Sequence, residues 1–365
     1  MAEDLTSFLE TVAPTVLLRV EEDLGDGFVV LRRDEAERRQ AAQDVRSSED
    51  IVIELLRNAR DAGATRIFLA TTLEGRCRNI VVLDNGCGIP QTMHERIFDP
   101  RVTSKLDSVH IDRWGIHGRG MALYSIRENC LTARVCGSAP HLGTSIATTS
   151  SLDSLPEKAD QSSFPTFTLE EDGKVKIGGP KNILRTAAEF ALEHRGQVSV
   201  YVGSYSEIAA SLIASAMRNY SLAELSLLPD TQTVPFIDLP AFSHSPNGLA
   251  ELLESLGLSM SSRTARRILD GDIKPADPLH EVIRARLVVP KTQAASTASV
   301  SKPARLKAKA HVRIRPEDLR EFATSALKSY EPIAETYYLE SQVSPQATVK
   351  RGRLVLTVPL VPREQ

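Results

Sequence analysis

The chain has 365 residues, enough for two or three domains with cores of their own. Hydrophobic residues make up 42% and charged residues 25%, with 20 Gly and 20 Pro, which excludes a collagen-like, wholly disordered or membrane-spanning chain. The formal net charge of −3 nominates neither nucleic acid nor a membrane surface as a partner of the whole molecule. No run approaches the ~18–20 apolar residues of a membrane helix. Met1-Ala2-Glu3-Asp4 opens acidic, without the apolar core of a secretory signal. Cys77, Cys87, Cys130 and Cys136 form no C-x-x-C pair, so a reduced, cytoplasmic protein is expected.

In chain order, residues 27–31 predict a short strand. Residues 34–62 predict helix with a restart at Ser47, where Ser47-x-x-Asp50 resembles a capping box. Residues 66–70 and 79–83 are β-rich runs flanking Leu73-Glu74-Gly75, a hairpin pattern. A helix over 120–129 and a strand over 144–148 follow. The polar, Ser-rich stretch 148–165 lacks a period and reads as a boundary. Beyond it come a strand (174–177), a helix (180–194), a strand (197–202) and a helix (205–219). After a break at 242–247, residues 249–270 read as helix, turn, helix, with Arg263, Arg266 and Arg267 on the second helix. Residues 291–304 are low in complexity and read as a linker. The remainder reads strand (311–315), helix (317–338) and strand (353–361). The expected domains are 1–150, 165–290 and 305–365.

The chemistry concentrates between Ser47 and Thr144. Glu54, Asn58 and Asp61 recur at i, i+4 and i+7, which aligns two carboxylates and an amide along one helix face. Such oxygens suit water activation and Mg²⁺ ligation, although a solvated helix face gives the same pattern. Asp84-Asn85-Gly86-Cys87-Gly88-Ile89-Pro90 ends a hydrophobic strand. It reads either as a simple glycine turn or as a carboxylate placed to accept from an exocyclic amine, with glycines admitting a flat ring. Gly115-Ile116-His117-Gly118-Arg119-Gly120-Met121 is a glycine-rich loop opening a helix, suited to phosphate oxygens but not a P-loop. His117 has no second His or Cys at ligand spacing, and Trp114 reads as a packing anchor.

Together with Gly143-Thr144, these elements in this order resemble the GHKL ATPase superfamily over residues 45–150. That superfamily comprises DNA gyrase B, ninety-kilodalton heat-shock chaperones, histidine kinases and MutL. Ala62-Gly63-Ala64-Thr65-Arg66-Ile67 and Val102-Thr103-Ser104-Lys105 look like the MutL and type IIB topoisomerase B-subunit branch. Phe98-Asp99-Pro100 resembles the kinase branch, and the lid G-I-H-G-R-G departs from the MutL pattern.

The resemblance implies an α+β fold, the Bergerat-type α/β sandwich: a mixed sheet with its helices on one face, followed by one or two smaller α/β domains. It implies a Mg²⁺-dependent ATPase in which Glu54 is the general base and Asn58 holds the metal. Asp84, with Gly86, Gly88, Ile89 and Thr144, would take the adenine, and Asp61 and Ala62 would line the pocket. Gly115, His117, Gly118, Arg119, Gly120 and Met121 would form the phosphate lid. A lysine, with Lys105, Lys302 and Lys307 as candidates, would reach the γ-phosphate. ATP would close a homodimer. Two alternatives stand beside this one: a histidine-kinase-like protein kinase, and an ATP-gated switch binding DNA or protein through 249–320. The stretch 291–320 carries eight Lys or Arg, suited to phosphates or to a solvated linker.

Overall fold

The computed structural model describes residues 20–31, 44–104, 110–112, 115–117, 121–170, 174–227 and 233–288. Toward the C terminus it describes 345–350, 353–359 and isolated positions between 334 and 361. Two compact units are present, Met1–Thr292 and Gln293–Gln365.

The first unit opens with β1 (Val20–Gly25) and β2 (Phe28–Leu31), an antiparallel pair joined through Asp26-Gly27. Both turn residues have positive φ (52° and 80°), the geometry that aspartate and glycine tolerate best in a tight hairpin. Helix α1 (Ser48–Asp61) starts where the sequence restarts it: the Ser47 hydroxyl accepts from the Asp50 N–H at 3.2 Å. The reciprocal bond of a full box goes one residue further back, the Asp50 carboxylate accepting from the Arg46 N–H at 3.1 Å. At its other end Gly63, at φ 74°, closes the helix. The Gly63 N–H reaches the Arg60 carbonyl and the Ala64 N–H reaches the Ala59 carbonyl, which together make a Schellman cap.

The central sheet contains β3 (Arg66–Glu74), β4 (Cys77–Asp84), β8 (Thr132–Ser138), β9 (Thr144–Ser151) and β12 (Ser199–Gly203), in the order β12-β3-β4-β9-β8. β12 runs parallel to β3 and the other pairs are antiparallel, so the sheet is mixed and the fold α+β. Between β4 and β8 lie β5 (Val102–Thr103), the hairpin β6 (His110–Asp112) and β7 (Gly115–His117), and α2 (Ala122–Asn129). β5 pairs with β2. Beyond β9 come β10 (Thr166–Leu169), β11 (Val175–Gly178), α3 (Ile183–Glu193), α4 (Tyr205–Ala216), the single turn α5 (Leu222–Leu225), α6 (Pro246–Ser255), α7 (Ser262–Leu269), α8 (Leu279–Arg286) and β13 (Leu287–Val288).

Both faces of the sheet are covered. Ile67, Leu69, Ile80, Val82, Ile146 and Val200 pack with α1, α2, α3 and α8. The alternate residues Phe68, Ala70, Val81, Leu83 and Tyr201 pack with α4, α6 and α7. The expected arrangement with helices on one face is therefore corrected to three layers. The physical reason lies in the strands, whose apolar runs are unbroken rather than alternating.

The stretch 148–165 also departs from its reading as a boundary. β9 continues to Ser151, and Leu155 is buried in the first core. The rest is fastened across two helix starts. Glu49, 1% exposed, accepts from the Lys158 N–H and from Gln161 Nε2, whose Oε1 in turn accepts from the Ile183 N–H. β12 then joins the sheet beside β3, so residues 165–290 group with the amino-terminal region in the first unit. In the second unit β14 (Gln346–Lys350) pairs antiparallel with β15 (Arg353–Thr357). The linker 291–304, the strand 311–315, Lys302 and Lys307 fall outside the described residues. Among the described residues no helix is long and apolar enough to cross a membrane.

Candidate functional site

A cavity of about 740 Å³ opens between α1, the ends of β4 and β9, the β1–β2 turn and the start of α2. Glu54, Asn58, Asp61 and Ala62 reach it from α1 and its cap, because their spacing keeps them on one side of the helix. Leu55, Val82, Ile97, Val102 and Ile146 give it an apolar wall. Asp84 and Thr144 face each other directly in the β4–β9 register, so two residues far apart in sequence stand side by side at the rim.

The strand ends are held by dense local bonding. The Asp84 carboxylate, 6% exposed, accepts from the Gly86 N–H at 2.7 Å. Asn85 Oδ1 accepts from the Thr65 and Arg66 N–H groups at 2.9 and 2.8 Å and so pins the turn to the start of β3. The Thr144 and Ser138 hydroxyls lie 3.0 Å apart, and Ser138 donates to the Gly143 carbonyl at 2.9 Å. Two glycines are sterically required. A Cβ on Gly88 (φ 73°) would lie 1.9 Å from the Ala139 carbonyl oxygen, and one on Gly143 (φ 81°) 2.0 Å from that of Asp84.

On α1, Arg57 donates to Glu54 through Nη1, and Arg60 grips Asp61 Oδ1 through Nε and Nη2 at 2.8 and 2.6 Å. Arg60 Nη1 also lies 3.1 Å from His194 Nε2 on the far side. Asn58 Nδ2 is buried and has no hydrogen-bond partner among the described residues, which leaves polar capacity at the cavity wall. That capacity suits a ligand oxygen or, with the amide turned, a hydrated cation. Among the described residues no group of three or more His, Cys, Asp or Glu gathers to cage a metal. Mg²⁺ fits such a wall, since it commonly takes one or two protein oxygens plus phosphate and water.

Of the residues nominated from sequence, Glu54, Asn58, Asp61, Ala62, Asp84, Gly88, Ile89, Met121 and Thr144 line this one cavity. Gly86 sits behind the wall, where a Cβ would meet Ala62 Cβ at 2.8 Å and Asp84 Oδ1 at 2.9 Å. Gly115 and His117 belong to the β6–β7 hairpin rather than to a loop opening α2. α2 begins after Met121, and no side chain caps it. Lys105, Gly118, Arg119, Gly120 and Trp114 lie outside the described residues.

Several lining residues escaped the sequence reading. Asp26, Gly27 and Phe28 come from the first hairpin, and the Asp-Gly pair between β-rich residues was the available signal. Asp44, Arg57, Thr103 and Ser104 also line the cavity. Cys87 is exposed at its mouth, whereas burial pushes the pKa of the Cys130 thiol up to about 12.

Residues 43–159 match the family described as "Histidine kinase-, DNA gyrase B-, and HSP90-like ATPase". The DNA mismatch repair protein MutL of Bartonella quintana (strain Toulouse) is 41% identical over 87 residues, covering 24% of this chain and 14% of that protein. MutL of Aquifex pyrophilus is 38% identical over 104 residues, covering 27% of this chain and 24% of that protein. The chain thus spans less than a quarter of the length of these two relatives. Full-length ShkA in complex with AMPPNP aligns over 75% of this chain and 63% of its own, at 15% identity and a TM-score of 0.23.

Proposed function

We propose, on the match of residues 43–159 to the histidine kinase-, DNA gyrase B- and HSP90-like ATPase family, that the cavity at α1 binds ATP with Mg²⁺ and hydrolyses it. The observation that carries this reading is the convergence of Glu54, Asn58, Asp84 and Thr144 on a single cavity. Its volume falls in the ~300–1,000 Å³ range of small-molecule sites. Asp84 accepts from the adenine amine, and the aliphatic wall at Val82 and Ile146 takes the ring. Asn58 holds the cation, which supplies charge neutralisation at the phosphates. Glu54, on the same helix face, takes the proton from the attacking water.

A positioned base contributes ~10²–10⁴-fold. Glu54→Gln is therefore expected to bind ATP normally and to hydrolyse it about 100-fold more slowly in a phosphate-release assay. Wild-type turnover in that variant would remove Glu54 from the base role. With γ-labelled ATP, free phosphate supports hydrolysis, whereas label retained on protein supports a kinase. The similarity to mismatch-repair proteins supports a conformational use of ATP, such as dimer closure, acting on DNA. Arg263 and Arg266, exposed beside a shallow groove at the starts of α6 and α7, favour DNA phosphates as the partner there.

A further inference from the structure

Of the two arginines on α1, Arg57 is the one that lines the cavity, and the proposed chemistry leaves it without a task. It stands three residues after Glu54 and one before Asn58, and it lines the same cavity. Only 3% of it is exposed. Burying a guanidinium is costly unless a partner compensates it. The compensation visible on α1 is directed at Glu54: Arg57 Nη1 donates to Glu54 Oε1, an i,i+3 pair with the carboxylate itself 19% exposed.

This arrangement does something specific to a carboxylate. A glutamate on a helix surface samples several rotamers and loses that freedom when it is fixed. Here one oxygen is tied to a planar donor whose own stem is locked by burial. Arginine suits this better than lysine, because its donors are set in a rigid plane. Base catalysis depends steeply on such placement, and a displacement of ~1 Å costs about 100-fold in rate.

We propose that Arg57 is a positioning residue for Glu54, holding Oε1 so that the carboxylate keeps one orientation toward the cavity. The proposal rests on the reading of Glu54 as base and deepens it. It assigns Arg57 no contact with the nucleotide.

The experiment measures kcat for ATP hydrolysis and Kd for a non-hydrolysable ATP analogue. It uses the full chain and four variants: Arg57→Leu, Arg57→Lys, Glu54→Gln and the double variant Glu54→Gln/Arg57→Leu. Arg57→Leu is expected to lower kcat about tenfold with Kd within about twofold of wild type. Arg57→Lys, which keeps the charge but not the plane, should recover part of the loss. The double variant should be no slower than Glu54→Gln alone, since the effect of Arg57 passes through the carboxylate.

Wild-type kcat in Arg57→Leu would overturn the proposal, as would losses that multiply in the double variant. A fall in affinity with kcat unchanged would make Arg57 a phosphate ligand instead. Should Arg57→Leu fail to fold, Arg57→Lys decides: a severalfold lower kcat at unchanged Kd supports positioning, and wild-type kcat refutes it. Glu54→Gln separates the two failures. If it turns over normally, the reading of the base is wrong; if it is slow while Arg57→Leu is normal, only the role of Arg57 is.

Discussion

The two faces of the central sheet are made of the same strands and have opposite characters. On one, Val82 and Ile146 look into a cavity of about 740 Å³ bordered by α1. On the other, the helices pack closely against the strands. A Cβ on Gly257 would lie 3.0 Å from Cys136 Sγ and 3.1 Å from Ala147 Cβ, and one on Gly137 3.0 Å from the Phe236 ring. Ser145 donates to the Leu256 carbonyl at 2.7 Å, and Arg66 donates to both Asp238 oxygens at 3.0 and 3.2 Å. The difference teaches a division of labour. A sheet that leaves one face hollow for a ligand needs its strand ends fixed from behind, and the helical layer of residues 205–269 supplies that support.

The largest effect is expected where the two faces share backbone. Gly143→Ala would force a Cβ to within 2.0 Å of the Asp84 carbonyl oxygen at a φ of 81°. The β4–β9 ends must separate, which should cost on the order of 4 kcal/mol. Denaturant unfolding and nucleotide titration of the same sample should both register it. A stability within ~1 kcal/mol of wild type would show that the strand ends are not locked together, and the contrast between the faces would lose its basis.

Next comes the closed face alone. Asp238 is 2% exposed, and its pair with Arg66 joins the start of β3 to the segment after α5. Asp238→Ala leaves that guanidinium without its carboxylate and should destabilise the fold by about 3 kcal/mol. Nucleotide affinity, measured under conditions where the variant is folded, should stay at the wild-type value. A matching loss of affinity would mean that the second layer shapes the site rather than merely supporting it.

How far the sequence disclosed this contrast depends on the range of each interaction. Glu54, Asn58 and Asp61 were legible because a helix period is local, and Asp84 because a turn sequence follows a strand. The second layer is legible in the strands themselves, against the one-faced arrangement that the family resemblance implies. Ile67-Phe68-Leu69-Ala70 and Ile80-Val81-Val82-Leu83 are unbroken apolar runs, and such runs mean burial on both sides. The strap at 152–165 was not legible at all, because its bonds to Glu49 and Asn182 join residues distant in sequence and leave no period. β8 escaped notice for a related reason: a bulge between Val135 and Gly137 interrupts its alternation. The parallel addition of β12 to β3 depends on a crossover that no short motif encodes.

The smallest effect on the fold should come from the open face, through Asp84→Asn. The carboxylate accepts from the Gly86 N–H through Oδ1, and an asparagine can keep that bond by presenting its own carbonyl oxygen there. Stability should change less than in Asp238→Ala, which strips a buried guanidinium of its carboxylate. The second position, however, becomes an N–H₂ donor where an acceptor stood. An exocyclic amine arriving there meets donor against donor, and ATP affinity should fall by about 1–3 kcal/mol, or roughly 5- to 150-fold. The same substitution offers a donor to a purine that carries a carbonyl at that position. On the reading of Asp84 as the adenine acceptor, the ratio of ATP to GTP affinity should therefore fall, which calorimetric titration of both nucleotides would detect. Equal ATP affinity in the variant and wild type would take Asp84 out of the site, and a uniform loss for both purines would make it a support of the wall rather than a reader of the base.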